Sequence, residues 1–144
     1  MKKKALLISD EIFLSYSYNE GIIESKDNKI VKTLNKKFDI DNISTKNIDS
    51  LKASNYIKQF IKTFDYSYCI ISLTNIDDNI KEAIDELSKS KIKIIFVEAP
   101  NASKEELNKI KKYDSNDDIN YITYDAVKES NASKINSLFF KICA

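Results

Sequence analysis

Histidine and arginine are both missing from these 144 residues. Without imidazole, no Ser-His or Cys-His pair can be assembled, and no histidine can ligate a metal or shuttle protons near neutral pH. Without arginine, bidentate clamps on phosphate or carboxylate are unavailable, and all 23 basic residues are lysine. The abundance of Lys, Asn and Ile has the look of AT-rich coding, so the missing arginine reflects the genome as readily as the function. Glycine occurs once, at Gly21, so neither a P-loop nor a dinucleotide fingerprint can be written. The two cysteines, Cys69 and Cys143, lie far apart and give no disulfide framework, although a single bridge is not excluded. Cys69 sits in an apolar run and reads as a small buried hydrophobe before it reads as a nucleophile. Long apolar runs are also lacking. After Met-Lys-Lys-Lys only Ala5-Leu6-Leu7-Ile8 precede Ser9-Asp10-Glu11. A signal peptide needs a longer apolar core, and a membrane span needs about 20 apolar residues. The expectation is a cytoplasmic chain with free thiols and no membrane partner.

What is present suits one globular domain over residues 1–144. Hydrophobic residues make up 42% and charged residues 31%, which is enough to bury a core and too apolar for disorder. The formal net charge is +1, so there is no electrostatic footprint for nucleic acid, and none is expected as a partner.

Three runs are almost continuously apolar: Ala5-Leu6-Leu7-Ile8, Tyr68-Cys69-Ile70-Ile71-Ser72-Leu73 and Ile92-Lys93-Ile94-Ile95-Phe96-Val97. Such runs fit strands covered on both faces, as in a parallel sheet. Residues 38–43 and 119–123 mix polar with apolar residues and suit the sheet edges. Between these runs the spacing turns helical. Ile30, Val31 and Leu34 form one stripe after a polar start near Asp27. Leu51, Ile57, Phe60, Ile61 and Phe64 form a second, opened by Asp49 or Ser50. Ile80, Ala83, Ile84 and Leu87 follow Asp77, a good N-cap. Ser103 and Glu106 have capping-box spacing before Leu107 and Ile110, and Ile135, Leu138, Phe139 and Ile142 form a last stripe. The single proline, Pro100, falls between the fourth strand and the helix after it. Residues 12–26 are read as a long loop or irregular first turn. Alternation of strands and helices, with the apolar strands central, predicts a three-layer α/β/α fold. The sheet is flavodoxin-like, with five parallel strands in the order 2-1-3-4-5.

Ligands in such sheets sit beyond the carboxyl ends of the strands. Those ends carry Ser9, Asp10 and Glu11; Ser72, Thr74 and Asn75; Glu98 and Asn101; and Tyr124, Asp125 and Lys128. Asp10, Glu11 and Glu98, with Asp125 nearby, are candidates for an acidic pocket that takes Mg²⁺, which prefers carboxylates and water. Polar strand ends are equally what solvated loops and helix caps require. Glu11 and Lys128 can also pair as a structural ion pair, or Lys128 can serve as a base of depressed pKa, although no nucleophile is marked out beside it.

Two families resemble the chain at these positions. Leu7-Ile8-Ser9-Asp10-Glu11 is similar to the strand that ends in Gly-Asp-Ser in SGNH (GDSL-type) hydrolases. Leu73-Thr74-Asn75-Ile76 resembles their Gly-x-Asn-Asp block, and Asp125-Ala126-Val127-Lys128 resembles their Asp-x-x-His. Residues 92–101 have the texture of the family's fourth strand and its following proline. The resemblance implies that Glu11 stands where the nucleophile would be and Lys128 where the base would be. It puts Asn47 near the second-block glycine, and leaves Asn75 and Asp125 from the catalytic set. A carboxylate at the nucleophile position repels a developing oxyanion. The second resemblance is to response-regulator receiver domains, through Lys4-Ala5-Leu6-Leu7-Ile8-Ser9-Asp10-Glu11. There Ser72 replaces the phosphoacceptor aspartate, Glu98 the Thr/Ser of the fourth strand, and Tyr124 the lysine of the fifth. The long segment ahead of the first helix suits the hydrolase family better.

Both resemblances imply a kept fold and lost reactive groups. The expectation is a non-catalytic binding or regulatory domain with a pocket lined by Ser9, Asp10, Glu11, Asn75, Asp125 and Lys128, no obligatory cofactor, and a protein partner. The alternative is a receiver-like signalling domain with a Mg²⁺-binding pocket at Asp10, Glu11 and Glu98. Tyr16, Tyr18 and Tyr124 suit either a partner surface or packing over the sheet ends.

Overall fold

The computed structural model describes residues 2–14, 16–19, 22–25, 28–100, 102–112 and 119–123. Its main sheet is built from β1 (Lys3–Ser9), β4 (Phe38–Asn42), β5 (Tyr68–Ser72), β6 (Lys93–Val97) and β7 (Ile119–Ile122). The five strands lie in the order β4-β1-β5-β6-β7, and every pairing is parallel. Renumbered along the chain, this is the 2-1-3-4-5 order that the apolar runs predict. The reason is visible in burial. Leu6, Leu7, Ile8, Cys69, Ile70, Ile71, Ile94 and Ile95 are all fully buried, on strands with a neighbour on each side.

The two faces of the sheet carry separate cores. Leu6, Ile8, Cys69, Ile71, Ile94 and Phe96 point to one face. There they pack on Ala53 and Ile57 of α2 (Ser50–Thr63) and on α3 (Asp78–Lys89). Ala5, Leu7, Tyr68, Ile70, Ile95 and Val97 point to the other, with Phe13 and with Leu34 of α1 (Lys29–Asn35). In α3 the i, i+3, i+4, i+7 stripe is buried as its spacing demands, from Ile80 through Leu87. Each such side chain contributes about 1.5–3 kcal/mol when removed from water. No helix among the described residues is long and apolar enough to cross a membrane.

Three local expectations need correction or refinement. Residues 16–19 and 22–25, expected within an irregular loop, are strands. β2 (Tyr16–Asn19) and β3 (Ile22–Ser25) pair antiparallel as a separate two-stranded sheet, with Asn19 opposite Ile22. Helix α1 starts after Asn28, one position beyond the Asp27 near which the polar start is expected. The Asn28 side-chain oxygen accepts the Val31 N–H, while its amide donates to Ile12 O and Leu14 O. In α2 the ends of the expected stripe turn outward: Leu51 is 56% exposed and Phe64 44%, and Ala53 and Ser54 are buried in their stead. The expected last helix over Ile135, Leu138, Phe139 and Ile142 lies outside the described residues.

Candidate functional site

The carboxyl ends of β1, β4, β5 and β6 face the starts of α1, α2, α3 and α4 (Lys104–Lys111), so loops and helix caps meet along one rim. β1 ends in two residues with different duties. Ser9 is completely buried, and its Oγ accepts the Phe13 N–H at 2.9 Å. Its N–H donates to Ser44 Oγ at 2.9 Å, and its carbonyl accepts the Thr45 N–H at 3.1 Å, so the loop after β4 is bonded to the end of β1. Asp10 reaches over β5. Its Oδ2 accepts the Thr74 N–H at 2.9 Å, and its own N–H donates to Ser72 O at 3.3 Å. Asp10 Oδ1 is buried and has no hydrogen-bond partner among the described residues, and Ser72 Oγ shares that condition. Orphaned buried acceptors are uncommon in folded proteins, because each forfeits its hydration.

Glu11 is exposed in the turn that follows, where its carbonyl accepts the Leu14 N–H at 3.2 Å. Asn42 fastens the same turn by donating its side-chain amide to Phe13 O at 2.7 Å. Asn75 is exposed on the loop between β5 and α3. Glu98, at the end of β6, accepts the Tyr121 hydroxyl at 2.6 Å, and its N–H donates to Ile122 O. Burial, then the hydrogen bond to Glu98 and its charge, pushes the Tyr121 phenol well above its ordinary range. Cys69 is a free, fully buried thiol, and burial pushes its pKa far above the range of a nucleophilic cysteine. Tyr124, Asn101, Asp125 and Lys128 lie outside the described residues.

Of the acidic set predicted for a metal, Asp10 and Glu98 stand at the ends of strands that are not neighbours. β5 separates β1 from β6, which leaves Asp10 and Glu98 two strands, or about 10 Å, apart. Glu98 is turned to Tyr121 on β7. Among the described residues no three acidic or cysteine side chains stand together as a metal-holding group.

A second cluster on this rim has no counterpart in the sequence prediction. Glu106 was expected to close a capping box on Ser103. Ser103 Oγ does accept the Glu106 N–H at 3.2 Å, yet the Glu106 carboxylate leaves the helix. Its Oε2 accepts the Ile76 N–H at 2.6 Å and its Oε1 pairs with Lys109 at 3.1 Å. The hydrogen bond to Glu106 holds the Lys109 ammonium above its ordinary pKa. The loop from β5 to α3 is therefore clamped twice, at Thr74 by Asp10 and at Ile76 by Glu106. Asp77 finishes it by accepting the Asn79 and Ile80 N–H groups and the Ser50 hydroxyl. Spacing alone points Glu106 to its own helix start; only the fold brings the loop within reach.

Asn47, on the loop between β4 and α2, has a φ of 55°. That is the left-handed region which glycine occupies without strain and which asparagine tolerates best among the other residues. No family model matches this chain, and no curated protein matches it.

Proposed function

We propose that this chain is a non-catalytic binding or regulatory domain with an SGNH-hydrolase-like fold, whose nucleophile and base positions are taken by Glu11 and Lys128. One observation carries the proposal: Ser9, Asp10 and Glu98 at the strand ends are engaged in holding the chain together. Ser9 Oγ is buried and accepts a backbone N–H, Asp10 bridges β1 to the β5–α3 loop, and Glu98 accepts from Tyr121. A buried hydroxyl fixed as an acceptor inside the fold lacks the access that nucleophilic catalysis needs. The left-handed Asn47 supports the ancestry, since it stands near where that family carries a glycine. Glu11 and Asn75, exposed on adjoining loops, offer a polar face to a protein partner.

The test is turnover of short-chain p-nitrophenyl esters and acyl thioesters by the wild-type protein and by Glu11→Ala. No release above the buffer rate is expected from either. Ester turnover that Glu11→Ala abolishes would overturn the proposal.

The receiver-like alternative is favoured by the buried Asp10 Oδ1, unpartnered among the described residues, which a cation would satisfy. Mg²⁺ commonly binds through one or two carboxylates and keeps several waters, so Asp10 alone can anchor it. On that basis millimolar Mg²⁺ raises the thermal midpoint of the wild type and leaves Asp10→Asn unmoved. Equal midpoints with and without Mg²⁺ in the wild type would eliminate this alternative.

A further inference from the structure

Beside the Glu106 clamp a cleft of about 550 Å³ opens between α3 and α4. Among the described residues it is lined by Ile76, Asp77, Asp78, Lys81, Lys109 and Lys112. Its size falls in the range of small-molecule sites, roughly 300–1,000 Å³. It stands apart from Ser9, Asp10 and Glu11, on the α4 side of the β5–α3 loop. We propose that this cleft binds a phosphate group, free or borne by a small metabolite, through Lys81 and Lys112.

The inference follows from which charges in the cleft are already engaged. Asp77 accepts two N–H groups of α3 and the Ser50 hydroxyl. Lys109 is paired with Glu106. Among the described residues neither Lys81, one turn into α3, nor Lys112, just past the end of α4, pairs with another side chain, and both are exposed. Two exposed ammonium groups lining one cleft ask for one anion with several oxygens, and lysine binds phosphate as a point charge without needing a planar fork. Glu106 shows the kind of group the neighbouring donors accept. Its carboxylate sits between a backbone N–H and an ammonium, the pair of donors that a phosphate oxygen also takes. Asp78, in the first turn of α3, is the opposing charge, and it sets the affinity in the millimolar rather than the nanomolar range.

The experiment titrates inorganic phosphate into the ¹⁵N-labelled full chain at constant ionic strength and follows backbone amide resonances. Saturable shifts are expected at Ile76 through Lys81 and in α4, with a millimolar dissociation constant. Lys81→Ala/Lys112→Ala should weaken binding by about tenfold or more, while Asp78→Asn should tighten it. Both lysines are exposed, so an unchanged spectrum elsewhere certifies that the double variant is folded. Lys52→Ala, on α2 and outside the cleft, should leave the affinity unchanged. Absence of saturable shifts, an affinity that the double variant keeps, or an equal loss in Lys52→Ala would each overturn the proposal. Ester turnover and the Mg²⁺ midpoint do not depend on these lysines, so this site and the proposed function fail separately.

Discussion

Among the described residues Tyr66 and Tyr121 are tied to carboxylates, and they make stability depend on alkaline pH. Tyr66 is 7% exposed and donates its hydroxyl to Asp41 Oδ2 at 2.6 Å, while Lys4 pairs with the same carboxylate at 3.4 Å. Burial first, then the hydrogen bond to Asp41 and its charge, pushes the Tyr66 phenol well above its ordinary value near 10. Tyr121 is raised in the same way beside Glu98. Between the unfolded and folded pKa values the unfolded chain has lost a proton that the folded chain keeps. Stability from this source is therefore complete below about pH 10 and falls as pH rises past it, by about 1.4 kcal/mol per pH unit for each phenol. Tyr66→Phe is expected to cost about 1.5–3 kcal/mol at pH 8, the range for a hydrogen bond to a charged group. Above pH 10 the gap to wild type should narrow, because the variant no longer carries that proton. Urea unfolding at pH 8 and pH 10.5 measures both differences; a gap that stays constant would show that the Tyr66 proton is not linked to folding.

At the scale of elements, the caps decide where helices begin, and they also fasten helices to each other. Asp77 caps α3 through Asn79 and Ile80, and the same carboxylate accepts the hydroxyl of Ser50, the first residue of α2. Asn79 completes the link by donating to Ser50 Oγ at 3.2 Å. Asp77→Ala should lower stability by about 1–2 kcal/mol, an N-cap loss with the helix–helix link added, and Ser50→Ala by less than about 1 kcal/mol. Chemical denaturation of the two single variants and the double variant checks this, and additive effects would contradict a shared network. Elements of this kind were legible in the sequence where one physical signal dominated. Continuous apolar runs marked β1, β5 and β6, and the α3 cap and stripe sit one after the other in sequence. The β2–β3 hairpin was missed because Tyr16-Ser17-Tyr18-Asn19 pairs with residues 22–25 across two residues, and that signal is short beside a helical start. The site was less legible. Ser9, Asp10 and Asn75 do lie at strand ends as predicted, but Glu106 is recruited by Ile76 on another loop, a contact with no local trace.

At the scale of the whole molecule, burial on both faces of the sheet and pairing on both sides of a strand are separate protections. β1, β5 and β6 have both, whereas β4 and β7 have a paired strand on one side only. On β4, Asp39 is exposed and Ile40, Asp41 and Asn42 are half-buried, and on β7 Asn120 and Tyr121 are half-buried. Opening an edge strand breaks one ladder and uncovers fewer core side chains, Phe38 on β4 or Ile119 and Ile122 on β7. Opening β5 breaks two ladders and exposes Cys69, Ile70 and Ile71, all completely buried, at about 25 cal/mol per Å² of apolar area. The expected order of native-state hydrogen exchange is slowest in β1, β5 and β6, where amides exchange through global unfolding, and faster in β4 and β7 through partial opening. The same order bears on function, because the rim residues are not equally anchored. Asp10 and Thr74 hang from the slow central strands, while Glu98 joins β6 to the faster β7 through Tyr121. Exchange measured with and without a bound partner would then show protection spreading outward from β1 and β5. Uniform exchange across all five strands would mean that the sheet opens as one unit, with no firm centre on which to mount the rim.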